Sequence, residues 1–209
     1  IGTTFAVSLV LGPLLAQYIG VNGIFDLTGV LSLMALVGVW LLIPNPAVSR
    51  FHSDTEANTA RLPAVLKNRE LSRLNYGIFA LHASQMAMFV TIPFALIKTA
   101  GLDKSHHWEV YLPVVTIGFL LMVPAIIYGE KKAKLKQVFV GAVALMAAAQ
   151  LGMALALDSF WLIVIWLALY FIAFNILEAT LPSLISKIAP PHAKGTALGI
   201  YNTLQSIGL

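Results

Sequence analysis

Long uncharged stretches alternate with short polar ones along this chain. Residues 1–25, 27–49, 74–97, 110–129, 137–157 and 159–177 contain no Asp, Glu, Lys or Arg. Each run is close to or above the ~20 residues that a helix needs to cross a hydrocarbon layer. A further uncharged run, 195–209, reaches the end of the chain. The pattern predicts six membrane spans and a partial seventh. All are expected to be helical, because an open strand leaves its backbone polar groups unpaired in lipid. The expected fold class is therefore an all-α membrane protein. The chain starts inside one expected helix and stops inside another, so it is expected to be a fragment, and no signal peptide is expected.

Composition agrees with the pattern. Hydrophobic residues make up 59% and charged residues 11%, where a soluble domain carries about a quarter charged residues. Mean hydropathy is +0.86, so membrane lipid is the first expected partner. The absence of cysteine excludes disulfide and thiol chemistry.

Charge then orients the spans. The second loop holds Arg50, Arg61, Lys67, Arg69 and Arg73; the fourth holds Lys131, Lys132, Lys134 and Lys136; the sixth holds Lys187 and Lys194. Among the odd-numbered loops only the third is basic, through Lys98 and Lys104. Positive charge stays on the cytoplasmic side, so the even-numbered loops are expected there and the first span runs outward. A seven-helix receptor would show the reverse. The net charge of +4 thus reads as a topological signal, with no nucleic-acid partner.

The chain is expected to divide at 44–72, a long cytoplasmic segment between residues 1–43 and 73–209. This segment opens with Pro44, Asn45 and Pro46, which end the second helix. Its first part, "SRFHSDTEANTA", is polar. Its second part, "RLPAVLKNRELSRLN", sets Leu62, Val65, Leu66 and Leu71 among basic residues. That pattern fits an amphipathic segment at the membrane surface or a helical lead-in to the third span. In the external loop "GLDKSHHWEVYL", Asp103 or Ser105 is expected to cap the next helix, with Trp108 and Tyr111 as interfacial anchors. No metal site, cofactor or catalytic group is expected.

Polar groups inside the spans are few. Asn75, Phe79, His82 and Met86 share one face of the third span, and Gln85 follows His82 by one turn. His82 and Gln85 read either as interhelical hydrogen bonding or as the lining of a wet cavity. Pro93 and Pro124 are expected to bend their helices. Glu178 is the one acid well inside an apolar region, with Asn175 on its face and expected to bond it. An ionised carboxylate near a helix centre costs on the order of 2.5–3.5 kcal/mol on insertion scales, and desolvation favours the neutral acid. Glu178 reads equally as a ligand- or proton-handling group and as a structural partner of a lysine or a backbone N–H.

Several stretches resemble the major facilitator superfamily. "SLVLGPLLAQ" carries Ser8, Gly12 and Pro13 in a small-x-x-x-Gly-Pro pattern similar to the helix-packing motif on the fifth helix of proton-coupled antiporters. Ala16 and Gln17 stand where that pattern often continues with two glycines. "PPHAKGTALGIYNT" resembles the connection between helices ten and eleven, with Lys194 and Gly195 as its loop motif. "YGEKKAKLKQ" occupies the place of the short acidic-basic loop motif of the second half. "LNYGIFALH", "HHWEVYLPV", "KQVFV" and "FNILEATLPSLISK" look most similar to the YajR-type bacterial group.

The resemblance implies a piece of a twelve-helix, two-half bundle, from helix five to part of helix eleven, with a central site between the halves. Glu178 and Asn175 would lie on helix ten, and His82 and Gln85 on helix seven, both cavity-lining. The implied function is secondary transport in a bacterial inner membrane, with a small-molecule substrate, the proton as coupling ion, and efflux by alternating access. A uniporter or symporter of a small metabolite or sugar is the first alternative. A membrane enzyme or assembly factor is the second, for which His82 and Glu178 are the only candidate pair. No nucleotide-binding loop supports ATP-driven transport.

Overall fold

The computed structural model describes residues 2–44 and 58–209, with the backbone alone at residues 2–6, 9, 10 and 13. The chain divides into two compact units, Ile1–Phe51 and His52–Leu209. Every regular element among the described residues is a helix.

The first unit is built on α1, Gly2–Leu42, which is interrupted at Gly20, where φ is 69° and ψ is 173°. Only glycine occupies that region without strain. The break lies within the first apolar run, and the helix continues across Asp26 into the second.

The second unit contains α2 (Leu62–Lys67), α3 (Arg69–Ala100), α4 (Trp108–Lys131), α5 (Leu135–Leu155), α6 (Phe160–Ile188) and α7 (Lys194–Gly208). Among the described residues five helical segments are long and apolar enough to cross a membrane: Leu14–Leu42, Arg69–Ala100, Lys104–Lys131, Leu135–Leu155 and Phe160–Ile188. At 15 residues, α7 falls short of that length.

Local chemistry sets the boundaries. Asn68 caps α3, its Oδ1 accepting from the N–H groups of Glu70 at 3.0 Å and Leu71 at 3.3 Å. Helix α3 ends at Gly101 in the left-handed conformation, φ 63°. Pro93, Pro113, Pro124 and Pro182 all stand inside helices, and α6 continues past Pro182 to Ile188 instead of giving way to a loop there. A membrane helix tolerates such breaks when neighbouring helices shelter the freed carbonyls.

Helix α6 is the centre of the second unit, packed against α3, α4, α5 and α7. Its Ile163, Leu167, Tyr170, Phe171, Leu181 and Ile185 are fully buried. Lipid offers no hydrophobic drive for helix association, so close approach through small residues takes its place. A Cβ on Gly118 of α4 would lie 2.8 Å from the Phe171 carbonyl oxygen, and one on Gly152 of α5 would overlap the Trp166 indole. The Tyr170 hydroxyl also meets Ser84 Oγ of α3 at 3.3 Å.

The long connecting segment is described only from Asn58 onward, so most of its polar first part lies outside the described residues. Its second part packs on the unit itself. Val65 and Leu71 are buried while Leu66 is exposed, and α2 touches both α3 and α7. The Asn58 N–H donates to Thr196 Oγ1 at 3.0 Å, and that hydroxyl donates to the Asn58 carbonyl at 3.3 Å.

On the opposite side of the unit, Asp103 Oδ1 accepts from the Ser105 N–H at 2.9 Å and caps the short turn Lys104–His106, whereas α4, which Asp103 or Ser105 was expected to cap, starts after His107 without a side-chain cap. The His107 ring donates through Nε2 to the Leu102 carbonyl at 3.1 Å. Trp108 is half-exposed. Tyr111, in contrast to its expected anchoring role, is 5% exposed and lies 5.5 Å from the Phe89 ring. It is a core residue because its ring packs toward Phe89 of α3.

Candidate functional site: a three-helix polar junction

His82 of α3 and Glu178 of α6, distant in sequence, face each other across the second unit, with Nε2 and Oε2 3.7 Å apart. Each is set by its own helix. His82 follows Ile78 by one turn and bonds the Ile78 carbonyl through Nδ1 at 3.2 Å. A carbonyl only accepts, so Nδ1 carries the proton, a tautomer assigned from this network. Phe174, one turn before Glu178, lies edge-on to the imidazole at 5.8 Å. The His82 side chain is 6% exposed and that of Glu178 25%.

Helix α7 supplies the third member, which the sequence reading missed. Gln205 Nε2 lies 3.0 Å from His82 Nε2 and 3.3 Å from Glu178 Oε1. One amide NH₂ thus donates to both groups and bridges three helices. The close fit of α7 on α3 comes from Gly208, where a Cβ would lie 2.5 Å from the Phe79 carbonyl oxygen and 3.1 Å from His82 Cβ. Tyr201, one turn before Gln205, lies within electrostatic reach of Glu178. Among the described residues, the buried Glu178 Oε2, Tyr201 hydroxyl and Asn75 Oδ1 find no hydrogen-bond partner.

The other expected site residues are placed differently. Asn175 does not bond Glu178; its amide donates to the Phe171 carbonyl of its own helix at 2.9 Å and lies against Gly118. Gln85 is buried, but among the described residues it makes no hydrogen bond to His82 or Glu178. Lys194 and Gly195 form the first turn of α7 instead of a loop, and the connection is the turn Pro191–Ala193. Ser8, Gly12 and Pro13 fall within α1. Within its own unit, a Cβ on Gly12 would meet nothing within 4 Å.

The junction sets two titratable side chains side by side. With His82 neutral, Nε2 accepts from Gln205, and its remaining neighbour is an oxygen lone pair of Glu178. A proton on Oε2 satisfies that pair. A proton on Nε2 instead creates an ion pair, worth about 4 kcal/mol at this range in a medium of effective dielectric constant ~20. Gln205 can then no longer donate to Nε2 and its amide must turn.

The described helices form a membrane bundle with sparse, convergent polar groups at its helix contacts. The sequence profile of the Major Facilitator Superfamily matches residues 1–209, and the chain belongs to that family. It is 38% identical over 208 residues to the inner membrane transport protein YajR of Escherichia coli strain K12, covering 100% of this chain and 46% of that protein. It is 27% identical over 215 residues to an uncharacterized transporter of Buchnera aphidicola from Acyrthosiphon pisum, covering 100% of this chain and 55% of the relative. The multidrug resistance protein MdtH of Aeromonas salmonicida is 26% identical over 149 residues, 71% of this chain and 37% of the relative. The chain spans about half the length of the first two of these relatives. No solved structure matches it.

Proposed function

We propose that the chain is part of a proton-coupled secondary transporter that exports small compounds by alternating access, and that the His82–Glu178 pair holds the coupling proton. The observation that carries this reading is the 3.7 Å pair with Gln205 bonded to both members. It brings a buried imidazole and a part-buried carboxyl together with an amide from a third helix, an arrangement suited to holding a proton. Family membership and the names of the relatives favour transport over a membrane enzyme or assembly factor, and the multidrug name of one relative favours export. The distribution of lysine and arginine favours an inner-membrane orientation with the even-numbered loops cytoplasmic.

The test uses the full-length protein reconstituted in vesicles, with proton release measured on addition of candidate substrates. Glu178→Gln keeps the size and hydrogen-bonding capacity of the side chain and removes its titration. The variant is expected to bind substrate without releasing a proton and to lose the pH dependence of transport. Unchanged pH-dependent transport would remove Glu178 from the coupling mechanism.

A further inference from the structure

The α4–α5 turn and the end of α6 enclose an open cleft of about 400 Å³, lined by Gly129, Glu130, Ala133, Leu135, Lys136 and Lys187. The turn is tightly made. The Lys134 N–H donates to the Gly129 carbonyl at 2.7 Å, and Ala133 sits at φ 53°, in the left-handed region. Lys131, Lys132, Lys134 and Lys136 lie on or beside this turn, and Lys136 and Lys187 line the cleft with a single carboxylate, Glu130. That carboxylate lies 3.7 Å from Lys187 Nζ, both side chains being 58% exposed. Lys134 folds back over the Tyr128 ring, 5.8 Å from its centroid. Among the described residues, Lys131, Lys132 and Lys136 have no carboxylate partner.

The last turns of α4 before this turn and the end of α6 also expose apolar side chains. Val123, Ile127 and Tyr128 of α4 and Ile188 of α6 are between 38% and 50% exposed. Val123 and Ile127 are one turn apart and form a ridge leading into the basic turn. A ligand matching both features carries a phosphate at one end and acyl chains at the other. We propose that this cleft binds the headgroup of an anionic glycerophospholipid. Lys136 and Lys187 contact its phosphate, Lys131 and Lys132 add long-range attraction, and the acyl chains lie along Val123 and Ile127. A free phosphate would use the lysines and gain nothing from the ridge. Basic clefts between membrane helices are a recurrent form of headgroup recognition. The site lies apart from the His82–Glu178 pair and does not depend on the proton reading.

The test uses the full-length protein in phosphatidylcholine nanodiscs containing spin-labelled phosphatidylglycerol, whose immobilised fraction is read by electron paramagnetic resonance. Both lysines are exposed, so Lys136→Gln/Lys187→Gln is expected to fold. It should lower the preference for phosphatidylglycerol roughly five-fold per lysine removed, the factor expected of one basic residue near a charged leaflet. Lys136→Arg/Lys187→Arg should retain the preference, and Lys98→Gln/Lys104→Gln on the other side of the unit should leave it intact. The proposal is overturned by a parental preference in the Lys136→Gln/Lys187→Gln variant, or by an equal loss in the Lys98→Gln/Lys104→Gln control. Displacement of the labelled lipid by inorganic phosphate, but not by chloride of equal ionic strength, would assign the cleft to a free oxyanion and overturn the lipid reading.

Discussion

Gly208→Ala tests the three-helix junction through geometry alone. The added methyl would lie 2.5 Å from the Phe79 carbonyl oxygen, 3.1 Å from His82 Cβ and 3.3 Å from the Ala83 nitrogen. The nearest atom is backbone and cannot rotate aside. Carbon against a carbonyl oxygen settles at about 3.3–3.6 Å, so α7 must retreat from α3 by about 0.8 Å. Gln205 shares that face of α7, and its 3.0 Å contact with His82 would open to about 3.8 Å, beyond hydrogen-bonding range. Overpacking costs about 1–3 kcal/mol and the lost bond about 1 kcal/mol, while the better helix propensity of alanine offsets about 1 kcal/mol. Gly199→Ala on the same helix is the control, because a Cβ there meets nothing within 4 Å. The control should range from neutral to about 1 kcal/mol more stable, and Gly208→Ala should be about 1–3 kcal/mol less stable. Equilibrium unfolding of the full-length protein in detergent measures both, and the pH profile of transport reports the junction. If the two variants unfold alike and both keep the parental profile, the close fit at Gly208 does not position Gln205.

Two further outcomes concern the ends of the second unit. Asp103 accepts from the Ser105 N–H and from Ser105 Oγ, and these bonds, the backbone one foremost, hold its carboxyl below the ordinary value of 3.8. A carboxyl held low stabilises the fold above its ordinary value, and the contribution is lost as pH falls through the lower, folded value. Ser105→Ala should raise the Asp103 titration part of the way back, read by carboxyl NMR; an unmoved titration would refute the bonding. Thr196→Val removes both hydrogen bonds to Asn58, a loss of about 1–2 kcal/mol. It should speed amide exchange at Asn58 about 5- to 30-fold, and unchanged exchange would show that the hydroxyl does not hold the segment.

The parts legible in the sequence were those dictated by lipid. The apolar runs at 74–97, 110–129, 137–157 and 159–177 fall within α3, α4, α5 and α6 almost throughout, because in a bilayer an uncharged run of that length has few alternatives to helix. The ends were less legible. Helix α6 continues through Pro182 because membrane helices do not end at proline as reliably as soluble ones do, and Gly20 interrupts α1 through a conformation that composition does not reveal. His82 and Glu178 stood out because ionisable groups in spans are rare. Asn175 misled for a local reason. It shares a face with Glu178, but its amide found a carbonyl one turn back, a bond always within reach of a short polar side chain. Gln205 escapes a search for charged groups because it lies in the uncharged run 195–209. The available signal was Tyr201 and Gln205 spaced four apart, two polar groups on one face of an apolar helix.

Finding Gln205 changes what Glu178 can do. A carboxylate paired only with a lysine or with its own backbone would hold its charge wherever the helices moved. Here the acid, the imidazole and the amide that bonds both come from α6, α3 and α7 respectively. Any displacement of α7 alters the donors seen by His82 and Glu178, and so alters the free energy of placing a proton between them. Linkage requires the converse: adding or removing that proton shifts the preferred position of α7 by the same free energy. On the proposed reading, this reciprocity is the coupling itself. A Gln205→Leu variant, which keeps both titratable groups and removes the amide bridge, should retain proton binding at the pair while weakening the dependence of transport on pH. If that dependence survived at full strength, the proton and α7 would be uncoupled, whatever the titration of Glu178.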